Sequence, residues 1–427
     1  MKLLVPLPFY RHGGVEKTIV ALVEGFVRET DGIVLVSSDK NRDYFKTILP
    51  DSQTITYESF VWKKSSIDSK ILSLLYKFLS LFKKLKLKSL EQWLDGVIAR
   101  FRYDRRLQHL AKRYQTTHCL YFLSNGVPIP KIDIPLVFIS HDLYWAFAPL
   151  TYEKSYVDRY NHSLFEWLNS VDLVFAISQK TRRDIMTLFP QFSDKIRTIL
   201  WSGFPNYESN VLEFSKSEVN TDLPVFYFPS SFGIYKDQLS LLEAGVKLIK
   251  KGLQFKIILI GKETDNLVNG QLSLSQQNTT AEYLEYLDGC KTLYTENRDI
   301  FQTHFEGLGY VEYPQVEQNY RECSCVIVPS KYEGFGLAIA EAIVRGIPVI
   351  CSDLEVFQEQ IELYRCEDRI DIFPMGDSDA LAACMEAFLQ NPKPRLSAEE
   401  IDRRFGHWTW KNVTEAYVET LASIDRR

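Results

Sequence analysis

The sequence predicts an α/β protein made of two doubly wound, parallel-sheet domains. Three observations carry that expectation. Strand-like and helix-like segments alternate in both halves, the pattern of successive βαβ units. A polar stretch, 206–223, separates the halves and reads as a linker. Each half begins with an apolar strand that runs into a loop and then a helix. The expected division is 1–205, with a basic helical insertion at about 62–106, then 224–400, then a closing segment at 401–427.

Composition limits what the chain can be. Its 427 residues are 45% hydrophobic and 25% charged, which suits a soluble globular protein large enough for two cores. A formal net charge of -5 gives no reason to expect nucleic acid as a partner. Seven cysteines, an odd number, scatter from Cys119 to Cys384; Cys323-Ser324-Cys325 lacks a second metal-ligand pair and reads as core thiols. A reducing cytosol fits this usage. The opening residues Met1–Phe9 are apolar but short and broken by two prolines, so they read as a first strand without a secretory signal. No run reaches the ~18 apolar residues of a membrane span. The expected localisation is cytoplasmic.

In the first half, Lys2 to Leu7 is a strand, Phe9 to Gly14 a loop, and Val15 to Arg28 a helix with Ile19, Leu22, Val23 and Phe26 at helical spacing. Gly13 and Gly14 would let an anion approach the helix start, although a pair of glycines also serves simply as a turn. Gly32 to Ser38 and Gln53 to Tyr57 are further strands. Between Trp62 and Leu94 eight lysines interleave with Ile71, Leu72, Leu74, Leu75, Phe78, Leu79, Leu81 and Phe82, a basic amphipathic stretch in an otherwise acidic chain. It reads either as a helix packed on the sheet with solvated lysines or as an attachment to an anionic membrane surface. His118 to Leu123 and Pro135 to Ser140 are buried strands. The second ends in His141-Asp142-Leu143, and a side chain at the carboxyl end of a parallel strand faces the ligand crevice. Val171 to Ile177 is a strand, and Ser178 caps the helix that follows.

In the second half, Pro224 to Phe228 is a strand, Pro229 to Asp237 a loop, and Gln238 to Lys250 a helix; Lys236, near that helix start, can meet a phosphate as a point charge. Phe255 to Gly261 is a central strand, followed by a long polar region, 264–300, that leads into a helix. Cys325 to Val328 is a buried strand and Leu337 to Val344 a helix, ended by Gly346 and Pro348. Between them Gly334 and Gly336 allow a sharp turn and close backbone approach, and the first helical amides point toward anything anionic. Two carboxylates, Glu333 and Glu341, bracket this loop. They would repel a bare phosphate but can accept hydrogen bonds from sugar hydroxyls, one from a ribose and one from a hexose, with the amides on the diphosphate between. That describes a nucleotide sugar; the plain alternative for Glu341 is a charge near a helix start. A dinucleotide fingerprint fails, because its third glycine would fall at Ile339. Arg369 to Phe373 and Ser378 to Leu389 give one more strand and helix, and Phe405 to Trp410 begins a closing helix.

The run Pro329-Ser330-Lys331-Tyr332-Glu333-Gly334-Phe335-Gly336-Leu337, with Glu341-Ala342 and Gly346-Ile347-Pro348-Val349 after it, resembles the donor-site signature of retaining glycosyltransferases of family 4. The resemblance implies the GT-B arrangement, two facing Rossmann-like domains with a cleft between them. It implies that the amides of Gly13, Gly14, Gly334, Phe335, Gly336 and Leu337 hold the diphosphate with Lys236. Glu341 would hold the ribose and Glu333 the donor hexose, while His141 would lie near the reacting sugar. Gly309, Tyr310 and Val311, in Gly307-Leu308-Gly309-Tyr310-Val311, resemble the loop beside the nucleotide base. Many members carry an Arg where this chain has Ser231, which leaves open how the second phosphate charge is neutralised. Phe405 to Trp410 resembles the Phe-x-Trp segment that returns to the first domain. Trp145, Phe147 and Tyr152 would stack on an acceptor sugar or fill core.

The implied activity is metal-independent transfer of a hexose, with retention, from a GDP-, UDP- or dTDP-sugar to a glycan or lipid-linked glycan in surface polysaccharide or glycolipid synthesis. No cofactor is expected beyond the cosubstrate. Protein attachment at the inner face of the membrane through 62–94 is an associated expectation. An epimerase or a phosphorylase of the same fold, or a non-catalytic membrane-associated scaffold, remain alternatives.

Overall fold

The computed structural model of the chain describes residues 1–7, 14–49, 52–60, 66–85, 87–122, 126–148, 152–204, 223–273 and 280–424. It contains two sheets. The first has seven strands: β1 (Lys2–Leu7), β2 (Gly32–Ser37), β3 (Ile55–Ser59), β4 (His118–Tyr121), β5 (Leu136–Ser140), β6 (Leu173–Ala176) and β7 (Ile196–Thr198), in the order β3-β2-β1-β4-β5-β6-β7. The second has six: β8 (Val225–Pro229), β9 (Lys256–Ile260), β10 (Phe305–Gly307), β11 (Cys325–Val328), β12 (Val349–Ser352) and β13 (Ile370–Phe373), in the order β10-β9-β8-β11-β12-β13. All its pairings are parallel. In both orders the third, second and first strands of the sheet are followed by the fourth, the arrangement of a doubly wound Rossmann-like sheet.

The central strands are buried on both faces because helices cover both, which is why they read as continuous apolar runs and not as alternating ones. Two compact units emerge: residues 1–140, 163–175 and 414–427 form one, and 141–162 and 176–413 the other. The expected linker, 206–223, lies outside the described residues apart from Leu223.

In the first unit the helix Gly14–Glu29 turns its apolar stripe inward, and Phe26 meets Tyr417 of the helix Trp410–Ala422 edge-on at 6.0 Å between ring centres. These helices pack so closely at Gly25 that a Cβ there would lie 2.1 Å from Thr414 Oγ1. Trp410, at the start of the same helix, belongs to the second unit, where its indole donates to the Phe204 carbonyl at 2.7 Å.

The basic stretch folds as two helices, Ser66–Lys84 and Lys88–Tyr114, in place of one, and the second runs beyond the expected limit of 106. Its C-terminal half belongs to the core of the unit: Arg106 is buried and binds Glu58 Oε2 at 2.7 Å and the Ser59 carbonyl at 2.8 Å, at the end of β3. Its N-terminal half packs on the first helix through Leu72, Leu79, Leu94 and Ile98, with Leu75 and Phe82 against them. Several helices were absent from the sequence reading, among them Asp39–Ile48, Lys154–Ser170, Tyr313–Glu322 and Glu355–Tyr364, and the polar region 264–300 holds the helices Thr264–Val268 and Ala281–Glu296. Among the described residues no helix is long and apolar enough to cross a membrane.

Candidate functional site

The second sheet reverses its winding between β8 and β11: β8 leads outward to β9 and β10, and β11 to β12 and β13. In an open parallel sheet, ligands sit beyond the carboxyl ends of the strands at such a reversal. Two loops leave the sheet at that point, 230–237 and 329–336, and the topology alone therefore brings Lys236 beside Glu333. Lys236 Nζ donates to Glu333 Oε1 at 2.6 Å, and Ser330 Oγ donates to the same oxygen at 2.9 Å. The backbone fixes the two loops together, with the Lys331 amide donating to the Tyr235 carbonyl at 2.8 Å. A second ion pair, Lys331 to Asp237 at 2.8 Å, closes the base of the loops.

The glycine loop is held by segments far away in sequence but within the same unit. Ser178 Oγ and Thr181 Oγ1 donate to the Gly334 carbonyl at 2.5 and 3.0 Å. A Cβ at Gly334 would lie 2.1 Å from the His141 carbonyl oxygen and 2.6 Å from Asp142 Cβ, so only glycine permits this approach. Gly336 has φ +85°, the left-handed conformation that glycine adopts without strain, and the Gln360 amide nitrogen donates to the Phe335 carbonyl. The Leu143 amide donates to the Tyr332 hydroxyl, which in turn donates to buried Asp184, each at 2.9 Å. Thus the segment after β5, the start of the helix Gln179–Leu188 and the loop after β11 form one hydrogen-bonded body.

This arrangement brings His141, Lys236, Glu333 and Gly334 to one place. His141 lies edge-on to Trp201 at 4.9 Å. Its neighbour Asp142, assigned no role from the sequence, is a perturbed acid. Burial pushes its carboxyl up to about 6; the Lys236 charge opposes that rise and the Glu333 carboxylate adds to it. Burial also raises Asp184, against the pull of Lys180.

Glu341 sits on the helix Leu337–Ile343, where it accepts a hydrogen bond from Tyr320 Oη at 2.7 Å, and the Arg345 guanidinium donates to its carbonyl at 2.7 Å. Arg345 is itself buried against Glu317. Tyr320 is fully buried and had no signal in the sequence, since a tyrosine on a polar helix reads as surface.

The base-side loop is partly used by the fold: the Gly309 amide donates to Thr264 Oγ1 at 3.0 Å and its carbonyl accepts from Gly261 at 2.8 Å. Tyr310 remains about half exposed beside it. Ser231 Oγ accepts the Lys262 amide at 3.2 Å. Gly13 lies outside the described residues, and Gly14 opens the first helix. Of the three aromatics after His141, Trp145 is buried with its indole bonded to Asn161, Phe147 stacks on Tyr332, and Tyr152 stacks on Tyr156 at 4.6 Å.

The two Rossmann-like parallel sheets are those of the GT-B fold. Residues 211–405 match the family model for glycosyl transferases group 1, and residues 12–200 the model for Glycosyltransferase Family 4. The chain is a glycosyltransferase family 4-like protein. It is 25% identical to the O-antigen chain mannosyltransferase B of Escherichia coli over 64% of this chain and 66% of that one. It is 24% identical to an uncharacterized glycosyltransferase of Methanocaldococcus jannaschii over 44% of each. The chain thus spans less than two thirds of the curated relatives it matches. Among solved structures, HepE of Anabaena in complex with UDP and glucose superposes with TM-score 0.62 at 14% identity, over 99% of this chain and 100% of that one. A sucrose-phosphate synthase from Thermosynechococcus elongatus gives 0.64 at 15%, over the same shares.

Proposed function

We propose that the protein transfers a hexosyl group, with retention, from a nucleotide sugar to a glycan or lipid-linked glycan in surface polysaccharide or glycolipid synthesis. The observation that carries this reading is the Lys236–Glu333 pair at the sheet reversal, directly before Gly334. A cation and a carboxylate sharing one hydrogen bond are a pre-set pair of subsites. A diphosphate attracts the ammonium, and the released carboxylate is then available to the hydroxyls of a sugar attached to that diphosphate. Glu341, oriented by Tyr320, accepts from the ribose hydroxyls, and Tyr310 and Val311 border the base.

As the bond to the sugar breaks, charge grows on the departing diphosphate. Lys236 and the amides around Gly336 and Leu337 stabilise it without a metal. The acceptor hydroxyl attacks the face from which the diphosphate leaves and gives its proton to the departing diphosphate oxygen, so no general base is assigned. His141 lies beside the reacting sugar. The mannosyltransferase name of the Escherichia coli relative and the UDP and glucose in the HepE complex support a nucleotide-hexose donor. The setting we infer is cytoplasmic, with the acceptor carried at the inner face of the membrane.

A thermal-shift panel of UDP-, GDP- and dTDP-sugars, followed by release of nucleoside diphosphate with an acceptor present, tests this. A ligand at ~100 times its Kd adds about 2.7 kcal/mol of stability. A nucleotide sugar that stabilises the protein but is turned over without acceptor would favour the epimerase reading; no stabilisation by any donor would overturn both.

A further inference from the structure

The helical hairpin Ser66–Tyr114 has two apolar faces and uses only one of them. Leu72, Leu75, Leu79 and Phe82 of its first helix pack on the second helix. A separate series, Ile71, Leu74, Phe78 and Leu81 on the first helix and Leu85 just past its end, is exposed, with Leu85 57% accessible. Its spacing of three and four residues makes it a continuous stripe. At about 100° per residue, the centre of the stripe is turned roughly 110° from the buried face. Leu87, Leu90 and Trp93 continue the exposure across the turn and into the second helix, Trp93 being 63% accessible. Together these are eight of the thirteen large hydrophobic side chains exposed among the described residues. Isolated exposed leucines need no explanation; this concentration on one hairpin does.

We infer that this second face is a membrane-docking element that inserts into the interfacial layer of an anionic bilayer. Charge selects that occupant. Lys77, Lys84 and Lys88 are exposed around the stripe and outnumber the one exposed acid nearby among the described residues, Asp95, while Glu91 is already partnered by Lys83 at 3.7 Å. Lysines rimming an apolar stripe, with a tryptophan at its end, suit lipid headgroups above acyl chains. A two-fold contact with a second copy would bring the same lysines against one another, which disfavours that occupant. The inference deepens the proposal of a membrane-held acceptor, and differs from simple electrostatic attachment in that Phe78 and its neighbours insert while Phe82 stays in the hairpin core.

The test is sedimentation of the full chain with phosphatidylcholine vesicles, with and without phosphatidylglycerol. The wild type should pellet with the mixed vesicles, retain part of that binding at high salt, and bind pure phosphatidylcholine weakly. Leu74→Ser, Phe78→Ser and Leu81→Ser combined should lower partitioning at least a hundredfold, since moving each side chain from an apolar phase to water costs about tenfold or more. Lys77→Glu with Lys84→Glu should remove the preference for phosphatidylglycerol. Thermal shift by the nucleotide-sugar panel, run on the triple variant, separates this inference from the donor reading, because the altered residues lie outside the donor site. Wild-type protein left in the supernatant at low salt, or a triple variant that pellets like wild type, overturns the inference. So does a wild-type dimer in solution that the triple substitution converts to a monomer.

Discussion

Replacing Glu333 by Gln separates the two jobs assigned to the pair at the sheet reversal. Gln keeps the length of the side chain and can still accept from Lys236 and Ser330, so the loop has no reason to move; only the charge goes. In the native pair both side chains are largely buried, 18% and 16% exposed, at 2.6 Å. A hydrogen bond to a charged group contributes about 1.5–3 kcal/mol, and the Gln variant keeps that bond to the ammonium but loses the ion-pair attraction, on the order of 1 kcal/mol. An incoming diphosphate must draw Lys236 away from Glu333, so the Gln variant should bind free nucleoside diphosphate about 1 kcal/mol more tightly, close to fivefold. The nucleotide sugar, by contrast, loses the carboxylate's hold on the hexose hydroxyls, about 1.5–3 kcal/mol. The gain from freeing Lys236 is common to both ligands, so the ratio of sugar-nucleotide to nucleotide affinity should fall by roughly 10–10². Titration calorimetry with the diphosphate and its sugar measures both numbers on one preparation. Equal changes in the two affinities, or weaker binding of the bare diphosphate, would refute the placement of the hexose at Glu333.

Tyr320→Phe should weaken nucleoside diphosphate by about 1 kcal/mol, against about 1.5–3 for Glu341→Ala. The double variant should match Glu341→Ala alone, because the hydroxyl acts only through that carboxylate. Asp142→Asn tests a pH dependence. With a carboxyl raised from 3.8 to about 6, the folded protein binds more protons than the unfolded chain between those values, so stability falls as pH rises through that window and stays lower above it. The loss is on the order of 2–3 kcal/mol. The Asn variant should be the more stable protein at pH 8 and lose its advantage near pH 4; equal melting temperatures at both would show that Asp142 is not perturbed. Gly334→Ala should abolish donor binding while the chain remains folded, since its Cβ meets the His141 carbonyl at 2.1 Å and the loop must move; unchanged nucleotide affinity would contradict that.

The shape of the glycine loop after β11 was legible because its requirements are local: a buried strand, glycines where backbones meet and a helix start all fall within one short stretch. The same holds for β8 and Lys236. What escaped were groups defined by distant partners. Asp142 is raised by burial, with Lys236 opposing and Glu333 adding from nearly a hundred residues or more away, and Tyr320 acts on Glu341 from another helix. The helix Tyr313–Glu322 is polar apart from a few residues, so its period is faint, although Pro314 near its start is a recognised helix-opening signal. The lysine-rich stretch was read as one amphipathic helix because its apolar residues span half the circumference. Only the fold shows that this breadth is two faces, with Leu72 and Leu79 inside and Leu74 and Phe78 outside.

The bonds from Ser178 and Thr181 to the Gly334 carbonyl also bear on how the chain acquires its site. They join residues 156 and 153 positions apart, and they hold the very loop that has to be in place before a donor can bind. Contacts so distant in sequence form late, after a large loss of chain entropy. During synthesis, residues 141–181 emerge long before their partner and must wait for it, with Tyr332 still missing from beside Asp184. A fragment beginning at β8 would contain every residue of the donor signature and still lack the hydroxyls that shape it. The shape of this loop is thus a late acquisition in the life of each polypeptide, gated by completion of its C-terminal half, and the donor binding proposed for it would follow only then.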